Sequence, residues 1–229
     1  MAKHLTRELE TLQRQILAMA TRVEESLYLA TQALQNRNAK MAKDVIDSDA
    51  KIDELENQIQ EECLKILALY QPVAADLRRI AAVFSITTDL ERIGDLAVDI
   101  AERSQVLAVD AKPATPNKIH LLTDVVASMV RQALDAFVNL DSRQAARVIR
   151  LDDEADRLHA EVIQELIDVM KADQSLVDAA LSLFSVARHL ERIGDHATNI
   201  AEDVVYLVEG EIVRHRPEAI HHDGGPVSG

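Results

Sequence analysis

Glycine and aromatic residues are scarce in this 229-residue chain, and tryptophan is absent. Four of the six glycines (Gly210, Gly224, Gly225, Gly229) sit at the end, so the first 209 residues hold only Gly94 and Gly194. A sheet-rich protein of this length needs many glycine turns, and a nucleotide-binding one needs a Gly-rich phosphate loop. Aromatics at 3% leave the core to Leu, Ile, Val and Ala, which suits long packed helices better than a β-sandwich. The single Cys63 cannot form an internal disulfide, which fits a reducing compartment. No uncharged apolar run reaches the ~18 residues of a membrane span. The opening MAKHLTRELE lacks the apolar segment of a signal peptide, so a cytoplasmic location is expected. Positive charge is also short: 25 Lys and Arg against 39 Asp and Glu leave a net charge of −14. Such a chain has no electrostatic footprint for nucleic acid and is repelled by anionic lipid, but it attracts cations and basic partners.

What the chain has is helical periodicity. Leu5, Leu9, Leu12, Ile16, Met19, Val23, Leu27, Ala30 and Leu34 recur every three or four residues, which predicts a helix over 5–35. Asn38 is a candidate N-cap for the next, over 39–70, and Gln71-Pro72 stops it. A third helix is predicted over 74–109. Lys112-Pro113-Ala114-Thr115-Pro116 is the clearest linker, followed by helices over 117–140, 142–171 and about 175–209. Residues 211–229, with three glycines and two prolines, read as a mobile tail.

The halves are copies. The stretch 89–102 (DLERIGDLAVDIAE) matches 189–202 (HLERIGDHATNIAE) at ten of fourteen positions, offset by 100. Upstream, Asn36, Val45-Ile46, Asp49 and Asp53 match Asn139, Val148-Ile149, Asp152 and Asp156, offset by 103. The expected fold is all-α: two tandem up-down-up three-helix bundles related by internal duplication, 1–111 and 117–210, with the tail 211–229.

Acidic residues recur four apart within each copy: Asp49 and Asp53, then Glu91 and Asp95; Asp152 and Asp156, then Glu191 and Asp195. Positions i and i+4 share a helix face, and like charges there repel by a few tenths of a kcal/mol. Four such pairs suggest that something positive sits over each face. Asp99 lies at the stripe's edge, with Asn199, an uncharged oxygen donor, as its counterpart; Glu102 and Glu202 rejoin the stripe. If the second and third helices of a bundle pack side by side, at least four carboxylates converge. Without a counter-ion they raise their own pKa values. An oxygen-only set favours hard divalent or trivalent ions such as Mg²⁺, Mn²⁺, Ca²⁺ or iron, and His159, the counterpart of Glu56, tilts the second site toward zinc or iron. Gly94 and Gly194 beside the acids, each costing ~1 kcal/mol against alanine in a helix, imply close approach of a neighbouring helix. Arg92 and Arg192 read as structural partners for acids on adjacent helices. No nucleophile–base set or Cys-rich zinc site is present in the sequence.

The repeated Glu91-Arg-Ile-Gly-Asp95 and Glu191-Arg-Ile-Gly-Asp195, in a duplicated all-α chain, resemble the PhoU family over roughly residues 3–210. The resemblance implies two three-helix bundles whose acidic E/D-x-x-x-D motifs hold metal clusters at the bundle surface. Those motifs fall at Glu91, Asp95, Glu191 and Asp195, and on the second helices at Asp49, Asp53, Asp152 and Asp156. Asn199 in place of Asp99 implies that the two sites differ. The family has no established enzymatic reaction. The resemblance implies a cytoplasmic regulator, often a homodimer, that links the ATPase of a phosphate-importing ABC transporter (PstB) to a sensor histidine kinase (PhoR) and holds the phosphate-starvation response off when phosphate is ample. Two alternatives stand beside this reading: a carboxylate-bridged di-iron enzyme, hinted at only by Asp156-x-x-His159, and a helical scaffold without metal.

Overall fold

A computed structural model of the chain describes residues 2–109 and 114–210, and all regular elements there are helical. The helices are α1 (Ala2–Asn36), α2 (Ala39–Ser48), α3 (Ala50–Tyr70), α4 (Ala74–Leu107), α5 (Asn117–Asn139), α6 (Ser142–Ala172) and α7 (Val177–Glu209), with a 3₁₀ turn over Gln174–Leu176 before α7. The expected tail and the Lys112-Pro113 part of the linker lie outside the described residues.

The turns form for local reasons. Asn38 Oδ1 accepts from Met41 N at 3.1 Å and caps α2, while Asp141 Oδ1 accepts from Gln144 N at 2.9 Å and caps α6. Gln71 takes left-handed geometry (φ 46°) immediately before Pro72, and Leu140 does the same (φ 52°) before Asp141. Gly210 closes α7 at φ 78°, a conformation glycine adopts without steric cost.

The buried positions are those the periodicity marks. Leu12, Ile16, Met19, Val23, Leu27, Ala30 and Leu34 are all nearly inaccessible on α1. Their counterparts 103 residues on, Ile119, Leu122, Val126, Val130, Ala133 and Phe137 among them, are buried on α5. The core is aliphatic and continuous across both halves. Helices α3, α4, α7 and α6 lie side by side in that order, and α1 and α5 cover one face of the layer and touch each other. The seam between the halves is formed chiefly by α4 against α7. Residues pairing across it, Asp89 with His196 and Asp99 with His189, show that the two helices run antiparallel about a pseudo-twofold axis.

One expectation is corrected. The helix predicted over 39–70 is interrupted at Asp49, whereas its copy α6 is continuous. At the interruption the Asp49 carbonyl takes a short 2.7 Å bond from Ile52 N, three residues on, and a longer 3.4 Å one from Asp53 N. The chain tightens to 3₁₀ geometry for one turn. Smaller differences are that α4 ends at Leu107 rather than 109 and that α7 begins at Val177.

Candidate metal centre

Two acid clusters sit in matching grooves, one between α2/α3 and α4 and one between α6 and α7. Because α1 and α5 fill the other side of these grooves, the partly exposed carboxylates open on the face of the four-helix layer away from α1 and α5.

In the first half, Asp49, Asp53 and Asp95 each place a side-chain oxygen within 4.8 Å of the others. Burial, followed by repulsion from Asp53 and Asp95, pushes the Asp49 carboxyl up to about 6. Glu91 rises to about 7, again first through burial and then through Asp95, with Glu56 and Asp53 adding to it against Arg92. Glu56, from α3, is itself raised by burial, so the cluster is five acids deep. Arg92 belongs to this cluster: its Nη1 lies 3.1 Å from Asp95 and its Nε 3.4 Å from Glu91 of its own helix. One cation among five acids leaves the site strongly negative.

The second half repeats the arrangement with Asp152, Asp156, Glu191 and Asp195. Burial and then the charges of Asp156 and Asp195 raise Asp152 to about 6. Asp195 is raised by burial and by Glu191 and Asp156, with His196 and Arg192 opposing. Among the described residues, only the first-half trio meets the 4.8 Å spacing. His159, the counterpart of Glu56, has its Nε2 buried with no hydrogen-bond partner.

The donor set fits a cation. The eight gathered candidates are all carboxylates, Arg92 offsets only part of the first cluster's charge, and Glu91 Oε2, 3.4 Å from Arg92 Nε, is buried without a hydrogen bond. Hard ions are held by oxygens in this way. Asp49, Asp53, Glu91 and Asp95 would hold an ion in the first half, and Asp152, Asp156, Glu191 and Asp195 in the second.

Of the ten candidate ligands, eight gather into these two groups; Asp99 and Asn199 do not join them. Asp99 Oδ2 lies 3.5 Å from His189 Nδ1, and Asn199 Nδ2 donates to Asp89 Oδ1 at 3.2 Å, both across the α4–α7 seam. Eight residues on from Glu91 or Glu191, a helix at about 100° per residue has turned about 80° from the starting face, which carries these side chains to the seam. There Asp89, 8% exposed, is also held by His196 Nδ1 at 2.8 Å. The sequence had signalled this pair only as differences between copies: Asp89 against His189, and Leu96 against His196.

The glycines divide likewise. A Cβ on Gly94 would stand 3.1 Å from Ile52 Cδ1, a tight contact that the end of the Ile52 side chain would have to relieve, so α3 packs closely there. On Gly194 it would meet nothing nearer than 3.7 Å, so close approach is not the reason for that copy. The residue opposite it in place of Ile52 is Ala155.

The family model for the PhoU domain matches this chain twice, over residues 16–104 and 119–204. A phosphate-specific transport system accessory protein PhoU homolog of Aquifex aeolicus is 41% identical over 212 residues, covering 93% of this chain and 96% of that protein. The accessory protein PhoU of Escherichia coli is 33% identical over 216 residues, covering 91% of this chain and 86% of its own length. Among solved structures, PhoU from Pseudomonas aeruginosa superposes with a TM-score of 0.88 at 38% identity, covering 90% of this chain and 99% of that one. The phosphate transport system regulatory protein PhoU from Streptococcus pneumoniae gives 0.86 at 29%, covering 91% and 99%.

Proposed function

The chain belongs to the PhoU family, and on that premise we propose that it is a metal-binding accessory protein of a phosphate transport system that acts in the cytoplasm to hold the phosphate-starvation response off. The observation that carries the metal-binding part is the pair of acid clusters, each at the same place in its copy of the repeat and each with carboxyl pKa values raised by burial and then by its own charges. A cation of Mg²⁺, Mn²⁺, iron or zinc type in each cluster would supply the missing positive charge.

The chain's own residues do the rest. Asp49 is presented from the junction of α2 and α3, Asp53 from α3, and Glu91 and Asp95 from α4, so an ion shared between them would tie α3 to α4. Such an ion either bridges the open face to acidic or phosphate groups of a partner or fixes the bundle shape for docking. The relatives' names point to a transporter as partner, and the proposal takes its ATPase PstB and the sensor kinase PhoR as the proteins met, by a homodimer. No described helix is long and apolar enough to cross a membrane, which agrees with a protein that reaches the transporter by docking. The relatives are named as accessory and regulatory proteins, and the regulatory reading needs no catalytic group.

Elemental analysis after dialysis tests the metal. The wild-type protein is expected to retain ions, and a variant with Glu91, Asp95, Glu191 and Asp195 all changed to Ala to lose them; equal content in both ends the assignment. A pull-down with the transporter ATPase, with and without chelator, tests the docking role, and binding unchanged by chelator overturns it.

A further inference from the structure

One buried hydroxyl differs from the rest. Among the described residues, the buried Thr31, Thr87, Ser104, Thr123 and Ser182 each donate to the carbonyl four residues back in their own helix. Ser26, 5% exposed, does not, and its Oγ has no hydrogen-bond partner. A hydroxyl buried in this way costs free energy unless something else meets it. Ser26 lines a cavity of about 230 Å³ between α1 and the α2–α3 arm, together with Arg22 and Glu25 of α1 and with Asp44, Ser48 and Lys51 across from them.

The rim of this cavity is charged and unpaired. Arg22, Glu25, Asp44 and Lys51 are exposed, and none makes an ion pair or side-chain hydrogen bond among the described residues. Arg22 and Glu25 lie three apart on one helix, close enough to pair, yet stay apart, while the adjacent Lys43 and Asp47 join at 2.7 Å. A two-residue turn, Arg37-Asn38, joins α1 to α2 and sets them antiparallel. Counted from that turn, Asp44 comes first, Ser26, Ser48 and Glu25 are nearly level, and Lys51 and Arg22 lie farthest. The cavity thus runs from an acidic end to a cationic one, with both hydroxyls between. The other half has no such place. Met129, fully buried, and Leu151 stand for the two serines, Val125 and Ser128 for Arg22 and Glu25, and Arg147 and Glu154 for Asp44 and Lys51 with the signs reversed.

We propose that this cavity binds a small zwitterion of amino-acid class, its carboxylate on Arg22, Lys51 and the Ser26 hydroxyl and its ammonium on Asp44 and Glu25. A guanidinium fork suits a carboxylate in geometry and charge. The four rim charges sum to zero, so a plain anion would also face two acids and a plain cation two bases. A neutral molecule with separated charges matches both ends. The volume equals that of roughly seven waters at ~30 Å³ each, which suits amino acids from glycine to threonine and excludes long side chains. The site needs no ion in the acid clusters.

The test uses the full-length protein dialysed against chelator, so that an amino acid cannot be captured through a metal ion. Calorimetric titrations with glycine, alanine, serine and threonine, and with acetate and methylammonium as half-ligands, are run on wild type, R22A/D44A, Ser26→Met and the control K171A. Saturable binding of at least one amino acid supports the site if it weakens ~tenfold or more in R22A/D44A, the loss expected for charge-assisted hydrogen bonds, and is kept in K171A. Ser26→Met, which fills the cavity as Met129 does in the other half, is expected to abolish it. No saturable binding of any amino acid up to ~10 mM means a cavity filled by water alone and overturns the proposal. So does acetate or methylammonium binding as tightly as the best amino acid, or unchanged binding by R22A/D44A with its helical circular dichroism intact.

Discussion

The two halves share a plan and fill it differently. In the first, Ile52 reaches from α3 across to Gly94, and the residue facing the same region from α1 is the small, buried Ser26. In the second, Ala155 replaces Ile52, and Met129, the counterpart of Ser26, brings its Cε to where a Cβ on Gly194 would lie 3.7 Å away. Bulk has moved from the second helix of the bundle to the first, with total volume roughly kept, the kind of exchange that cores tolerate. The site differs between the halves as well. In the first half, the turn at Asp49 is tightened, the helix breaks, and three carboxylates come within 4.8 Å. In the second half, α6 runs straight through Asp152. The exchange also leaves the Ser26 hydroxyl buried without a partner, beside a cavity of about 230 Å³ lined by Arg22, Ser48 and Lys51. A duplicated scaffold can thus hold its acids in place twice while tuning how tightly each set is gathered.

The largest expected contrast is in metal binding. In a titration with Mn²⁺, changing Asp49, Asp53, Glu91 and Asp95 to their amides removes the tighter binding step, and the same changes at Asp152, Asp156, Glu191 and Asp195 remove the weaker one. A gap of about tenfold between the steps is expected from the closer first-half spacing. Identical steps would erase the contrast.

Next is the seam. Asp89→Ala strips a buried carboxylate from His196 and Asn199 and costs ~1–3 kcal/mol in denaturant unfolding. Asp99→Ala, at the repeat-related and more exposed place, costs less than ~1 kcal/mol. Smaller again is the glycine pair. Gly194→Ala gains helix propensity and stabilises by up to ~1 kcal/mol. Gly94→Ala forces Ile52 to move and is neutral or destabilising, so melting temperature should rise for Gly194→Ala and not for Gly94→Ala.

The smallest effect is the pH dependence of the metal-free protein. The acids hold their protons more tightly folded than unfolded: Asp49 and Asp152 go from 3.8 to about 6, and Glu91 from 4.5 to about 7. The folded state therefore carries extra protons in this range. Their contribution is present at low pH and fades as pH rises through about 6 to 7. Melting temperature should fall between pH 5.5 and pH 8, by a few degrees at most given the solvent exposure of the groups. Asp49→Asn with Glu91→Gln should flatten that slope more than Asp152→Asn alone.

Much of this was legible in the residues. Aliphatic periodicity, Asn38 and Pro72 marked the helices, and the repeated Glu-Arg-Ile-Gly-Asp marked both the duplication and the acid faces, because spacing along one helix is a local property. The break at Asp49 was not, since the repeat-related stretch through Asp152 carries the same acids and stays helical. Asp99 and Asn199 were placed with the acids because an i+8 residue still looks close to the stripe; which neighbour claims it depends on how α4 meets α7.

The mismatched residues across that seam bear on ancestry. Were the first half to dimerise with itself in the same antiparallel manner, Asp89 would confront Asp99 of its twin at both ends, carboxylate against carboxylate. The second half with itself would set His189 against Asn199 and forgo any ionic contact. Only the mixed pairing brings a histidine to an acid and an amide to an acid. Whatever symmetric forebear gave rise to the tandem gene, its two descendants now suit each other better than themselves: self-pairing would repel in the first half and leave the second without an ionic contact.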